Sequence, residues 1–220
     1  MNRKNTLRLT SRIFMISMLV LTLAACRQTF TPPPGETEAT EFMGQKLTPI
    51  SAQRNNALAG TQVINKDTYT LKVDGLVNNP LTLTYADLQA YPQISKLATM
   101  PCVEGWSFIA KWTGPALASI LDDAGVKPEA KILIFYTADD PSAGFTSLDL
   151  SYIRDNDIII ALRLNDITMP ADRGFPFQVV AEGKFGYKWA KWVTRIEVSD
   201  NENFRGYWES RGYSNTADAN

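Results

Sequence analysis

Two cysteines are all that this 220-residue chain holds, Cys26 and Cys102, and the first closes a targeting segment. Arg3, Lys4, Arg8 and Arg12 form a basic opening, and residues 13–23 are an apolar stretch shorter than the roughly 20 residues a membrane span needs. Leu23-Ala24-Ala25-Cys26 then reads as a lipobox, whose cysteine becomes the lipid-carrying N-terminus after cleavage. An ordinary signal peptide with a neighbouring cysteine is the plainer alternative. On the lipobox reading residues 1–25 are a signal peptide, and removing 25 of 220 residues leaves 195. The folded part then has one thiol and no possible internal disulfide, so a single hydrophobic core must hold it, and 195 residues suffice for that. The expected product is extracytoplasmic, anchored by lipid to the periplasmic face or cell surface and otherwise soluble.

Cys102 is therefore a lone thiol in a compartment where thiols normally pair. Such a residue is either a buried structural cysteine or is used by a metal or in catalysis. The chain has no histidine, which excludes Ser-His-Asp and Cys-His catalysis, blue copper, His-ligated haem and most zinc enzymes. The removed segment carries four basic and no acidic residues, so 18 basic against 23 acidic residues leave a charge of −5. A mildly acidic surface gives no reason to expect nucleic acid as a partner.

Residues 26–50, with Pro32-Pro33-Pro34-Gly35 and few large apolar side chains, read as the lipidated cysteine and a flexible tether, and residues 51–220 as one domain. Residues 69–73 alternate like a half-buried strand and close at Asp74-Gly75. Thr84 caps an expected short helix through Ala86, Leu88 and Ala90, stopped by Pro92. A second helix is expected over residues 115–123, with Leu117, Ile120 and Leu121 on one face and Gly125 just past its end. Residues 131–136, 158–162, 177–181 and 193–198 read as strands, the first apolar enough to be central. Strands outnumber short helices, which gives an α+β domain with a mixed β-sheet, without internal repeat.

Three segments carry the chemistry. Met100-Pro101-Cys102-Val103-Glu104-Gly105-Trp106 is followed by Trp112 and Gly114-Pro115-Ala116-Leu117. Gly183-Lys184-Phe185-Gly186-Tyr187-Lys188-Trp189-Ala190-Lys191-Trp192 combines glycines that allow close backbone approach with three cations that suit a phosphate. Near the end stands Gly206-Tyr207-Trp208-Glu209-Ser210-Arg211-Gly212-Tyr213, whose aromatics are expected to pack over the core or a cleft mouth. The three together resemble the sulfite oxidase and periplasmic sulfoxide reductase family, over residues 54 to about 213.

The resemblance implies a sulfite oxidase-type molybdopterin-binding fold and a Mo-molybdopterin cofactor. Cys102 is at the position of the family's molybdenum-binding thiolate, a role that suits a soft donor. Lys184, Lys188 and Lys191 are expected at the pterin phosphate, with Trp189 and Ala190 beside it. Asn55 or Asn56 matches a cofactor-touching asparagine, and Thr137 a threonine near the pterin. Arg173-Gly174-Phe175-Pro176-Phe177-Gln178 departs from an N-G-x-P-x-R pattern: Arg173 replaces the asparagine and Gln178 the arginine, so an expected cation is missing at position 178.

The function so implied is an enzyme, a molybdenum oxidoreductase performing two-electron oxygen-atom transfer on a small oxo-donor or acceptor substrate. Without histidine there is no in-chain haem, so electrons are exchanged with a separate protein such as a membrane-bound haem subunit. The competing reading is a non-catalytic, ligand-binding lipoprotein that keeps the fold, favoured by the departure at Gln178. Thr10-Ser11-Arg12-Ile13-Phe14-Met15 resembles a twin-arginine export signal but has a single arginine, which leaves the export route open.

Overall fold

The computed structural model describes residues 30–140 and 143–219; Cys26 and the signal segment lie outside the described residues. Runs of β-branched and aromatic residues build the central sheet, with strands β3 (Thr70–Gly75), β4 (Leu81–Thr84), β7 (Ile132–Thr137), β8 (Thr146–Asp149) and β13 (Val193–Ser199) in the order β4-β3-β13-β7-β8. The numbering begins with a small hairpin, β1 (Glu41–Phe42) and β2 (Gln45–Lys46), outside this sheet. β3 runs parallel to β13 and the other pairs are antiparallel, so the sheet is mixed, as expected. β7 lies between two partners with almost every side chain buried, which is why its sequence is continuously apolar.

The helices are short and locally specified. α1 (Tyr85–Ala90) begins at a capping box in which the Thr84 hydroxyl accepts from Asp87 N–H and the Asp87 carboxylate accepts from Thr84 N–H. α2 (Leu117–Ala124) buries Leu117, Ile120, Leu121 and Ala124 and ends at Gly125 in the left-handed region. It starts two residues later than expected because Gly114 and Pro115 still belong to a strand. α3 (Leu150–Asp155), not foreseen, follows β8 directly.

The long hairpin of β5 (Gln93–Pro101) and β6 (Ser107–Pro115) is the element that places the site. Phe108, Ala110, Trp112 and Gly114 alternate inward along β6. β6 continues through β10 (Arg163–Leu164) to β11 (Ile167–Thr168), and β9 (Ile159–Ala161) pairs with β12 (Gln178–Val180). One core joins these layers, and the Trp112 indole, fully buried, donates to Ala98 carbonyl at 3.1 Å.

The tether expected through residue 50 is corrected from Glu36 onward. Glu36 accepts from Thr168 N–H at 2.6 Å, Glu38 accepts from Ile50 N–H and Asn165 Nδ2, and Leu47 and Ile50 are buried. The Glu36 and Glu38 carboxylates, as acceptors of these bonds, hold a proline- and threonine-rich stretch that has little apolar surface of its own.

Candidate functional site

Residues 102–106 turn the β5–β6 hairpin and put Cys102 at its tip, with Cys102 N–H donating to Trp106 carbonyl at 2.8 Å. The thiol is half-buried. Burial pushes its pKa up, and the Glu104 carboxylate adds to the rise against partial relief from backbone hydrogen bonds of Glu104 and Val103. The raised pKa favours the protonated thiol, and a bound metal would favour the thiolate instead.

Cys102 lines a cleft of about 1000 Å³, counted to its open mouth. Met100, Trp106 and Phe108 come from the hairpin; Thr137 and Asp139 from the end of β7; Arg173 and Gln178 from either side of a turn. Gly186, Tyr187, Trp189, Lys191 and Trp192 form a further wall, residues 54–58 another, and Trp208 and Tyr213 of the C-terminal segment also line the cleft. Rings carry the wall inward: Trp106 stacks on Phe108 at 6.5 Å between centroids, Phe108 meets Trp112 at 5.9 Å, and Trp112 meets Trp189 at 5.4 Å.

Two glycines fix this geometry. A Cβ on Gly186 would stand 2.8 Å from Met100 Sδ and 3.3 Å from Pro101 carbonyl, so glycine lets this loop seat closely on the cysteine hairpin without displacing Met100. Gly174, at φ +114°, would meet the Lys191 stem at 3.0 Å.

The cleft cations are Lys191, Arg173 and Arg54, opposite the carboxylates Glu104 and Asp139. Lys191 Nζ donates to Asn55 Oδ1 at 2.6 Å and Asn56 carbonyl at 2.5 Å and sits 4.3 Å above the Trp192 ring. Burial drags its pKa down to about 8 in spite of Asp139 and Asp172. Arg173 is buried, and its Nη atoms donate to the carbonyls of Ile50, Gln53 and Arg54.

Of the residues singled out from sequence, Cys102, Asn55, Asn56, Thr137, Arg173, Gln178, Trp189 and Lys191 meet at the cleft. Ala190 is buried behind it, where its carbonyl accepts from Val179 N–H. Gln178 reaches the wall, but its amide donates to Trp189 carbonyl. Lys188 and Lys184 are corrected: neither lines the cleft. Lys188 is buried in an ion pair with Glu209 at 2.6 Å, and Glu209 also accepts from Thr146. Lys184 pairs with Asp218 at 2.5 Å beside a separate small polar pocket, over the Tyr152 ring. The sequence reading passed over Arg54, Glu104 and Asp139. Glu104 sits inside the cysteine motif, Arg54 directly precedes Asn55, and Asp139 lies two residues past Thr137, at a strand end where loops carry function.

The residues present fit a molybdopterin. Thr137 Oγ1 and Arg173 Nε are buried in residues of the cleft wall without a hydrogen-bond partner, Arg173 Nε lying 3.3 Å from Asp172 Oδ2 in an alignment that makes no hydrogen bond. Buried polar atoms of this kind call for a ligand or water. The soft Cys102 sulfur suits a metal, and among the described residues no cluster of three or more Cys, Asp or Glu competes for one.

Comparison with known proteins agrees. The profile of the oxidoreductase molybdopterin binding domain matches residues 58–208. The mitochondrial sulfite oxidase of Drosophila melanogaster is 34% identical over 176 residues, covering 69% of this chain and 30% of that enzyme. The protein-methionine-sulfoxide reductase catalytic subunit MsrP of Campylobacter jejuni is 25% identical, covering 94% of this chain and 76% of that one. Among solved structures, the sulfane dehydrogenase SoxCD from Paracoccus pantotrophus superposes with a TM-score of 0.67 at 28% identity, over 70% of this chain and 44% of that chain. The chain thus spans less than half the length of the sulfite oxidase and of the SoxCD chain it matches. With that match and this cleft, the chain belongs to the oxidoreductase molybdopterin-binding domain family, with its sulfite oxidase-like α+β fold and its molybdopterin cofactor.

Proposed function

We propose that this protein is a membrane-anchored, extracytoplasmic molybdenum oxidoreductase performing two-electron oxygen-atom transfer on a small substrate. The observation that carries the reading is Cys102, the one free thiol among the described residues, at a hairpin tip in the wall of an aromatic cleft. When bound, the molybdenum–pterin group supplies the two-electron couple. In the reducing direction the substrate's oxygen leaves as water, with two protons from solvent and two electrons from a partner protein.

The chain's own residues do the rest. Cys102 anchors the metal end, and Lys191, Arg173 and Arg54 balance the phosphate at the other. Trp106, Phe108 and Trp189 keep water from the inner wall. Tyr187, whose pKa is pushed up to about 12 chiefly by burial, stays a phenol and can only donate or accept a hydrogen bond. Cys26 carries the lipid, and a haem subunit in the membrane is the natural electron partner for a chain without histidine. The missing cation at position 178 favoured a non-catalytic relic. Arg173, in the same wall, supplies a charge there and weakens that alternative. Metal and pterin content of protein purified from its native membrane tests the proposal: both should be present at close to one per chain. Protein that is free of both would overturn it.

A further inference from the structure

Between a single turn at residues 50–52 and β3, the chain makes no helix or strand, yet residues 54–58 form one wall of the cleft. Arg54, Asn56 and Ala57 are exposed, so apolar burial does little to hold this strap. Polar ties hold it, and they come from the cleft itself. Arg173 donates to Gln53 and Arg54 carbonyls at 2.8 and 2.9 Å, and Lys191 to Asn55 Oδ1 and Asn56 carbonyl. Asn55 donates to Asp172 carbonyl, Asn56 to Glu104 Oε1 at 3.1 Å, and Leu58 N–H approaches Asp139 Oδ2 at 3.4 Å.

The same two cations are thus shared between the strap and whatever anion enters. A guanidinium has five donor hydrogens and an ammonium three. Arg173 uses three of its four Nη hydrogens on the carbonyls of Ile50, Gln53 and Arg54, with Nε facing Asp172 Oδ2 at 3.3 Å, and Lys191 leaves one of three hydrogens unused by the strap. An anion taking those donors would leave the strap's ties intact, and would fix both side chains in the rotamers the strap requires. We infer that residues 53–58 are a strap whose closure is thermodynamically coupled, through Arg173 and Lys191, to a phosphate group in the cleft. This rests on the reading that the cleft takes a molybdopterin. Coupling is reciprocal: a bound phosphate holds the strap closed, and a closed strap slows the cofactor's escape. The low intrinsic stability of an irregular, exposed segment is what makes it responsive.

Hydrogen exchange on the full chain reads this directly, in cofactor-loaded protein, in stripped protein, and in stripped protein with inorganic pyrophosphate. Cofactor and pyrophosphate should each slow exchange at residues 53–58 by about tenfold or more, with the amides of β7 and β13 unchanged. Arg173→Gln and Lys191→Met should each abolish the pyrophosphate effect. Should Arg173→Gln not fold, Lys191→Met decides alone. Strap exchange that ignores both anions, or protection undiminished in Lys191→Met, overturns the coupling. Native protein without pterin, whose strap still responds to pyrophosphate, would sink the cofactor reading and keep the coupling. Native protein with pterin and an indifferent strap would do the reverse.

Discussion

Lys191 works against its own burial. Its folded pKa near 8 lies below the ordinary value of 10.5, so the unfolded chain binds more protons between those two values. Its contribution therefore makes the empty domain gain stability as pH rises from about 8 to 10.5, whereas the cation available to an anion disappears as pH climbs through 8. Pyrophosphate affinity of stripped protein should fall by up to about tenfold per pH unit above 8, by the same linkage; a flat profile to pH 10 would remove Lys191 from the anion site. Lys191→Ala should weaken cofactor retention by roughly one to two powers of ten, since a charge-assisted hydrogen bond contributes about 1.5–3 kcal/mol. Retention is checked by pterin content after dialysis. In the sequence the three lysines are equivalent, three cations of one glycine-rich segment. The segment instead holds a single tight turn, Gly186–Lys188, that ends at Trp189 with φ −88° and ψ 70°, neither helical nor extended, so no continuous helix face aligns the three side chains. Only Lys191 reaches the cleft.

At the scale of elements, the buried Lys188–Glu209 pair ties the glycine-lysine loop, β8 and the C-terminal segment together. It is a structural bond, not part of a phosphate cradle. Lys188→Met alone strands a buried carboxylate and should cost about 3–5 kcal/mol in denaturant melts. Adding Glu209→Met should recover much of that, and the double variant should bind pterin as wild type does. Loss of pterin from a folded double variant would return Lys188 to the cofactor. The central strands and the first two helices were readable, because continuous apolar runs, Thr84 as a cap and Gly125 past a helix end are strong local signals. The β5–β6 hairpin was not. Its inward positions include Ala98, Ala110 and Gly114, too small to show an alternating pattern, and its tip was already claimed by the cysteine motif.

For the whole molecule, one continuous stretch leads into the cleft: from Glu36 it is bonded to the domain, and past Ile50 it becomes the strap. Composition suggested a free tether here because proline, threonine and glutamate are the residues of linkers. What ordered them was two carboxylates meeting donors of Ile50, Asn165 and Thr168, the last two more than 120 residues away, a pairing that no local pattern reveals. Cys26→Ser should abolish lipid labelling and release the protein from membranes on fractionation; normal labelling would disprove the anchor. Cys102 is proposed as the metal's sole protein ligand. Cys102→Ser is a small change at a half-buried hairpin tip, so the fold should survive it. The decisive measurement is turnover per bound molybdenum, alongside pterin content, in wild type and Cys102→Ser purified from the native membrane. The account predicts pterin retained and turnover abolished in the variant; unchanged turnover per metal would contradict it.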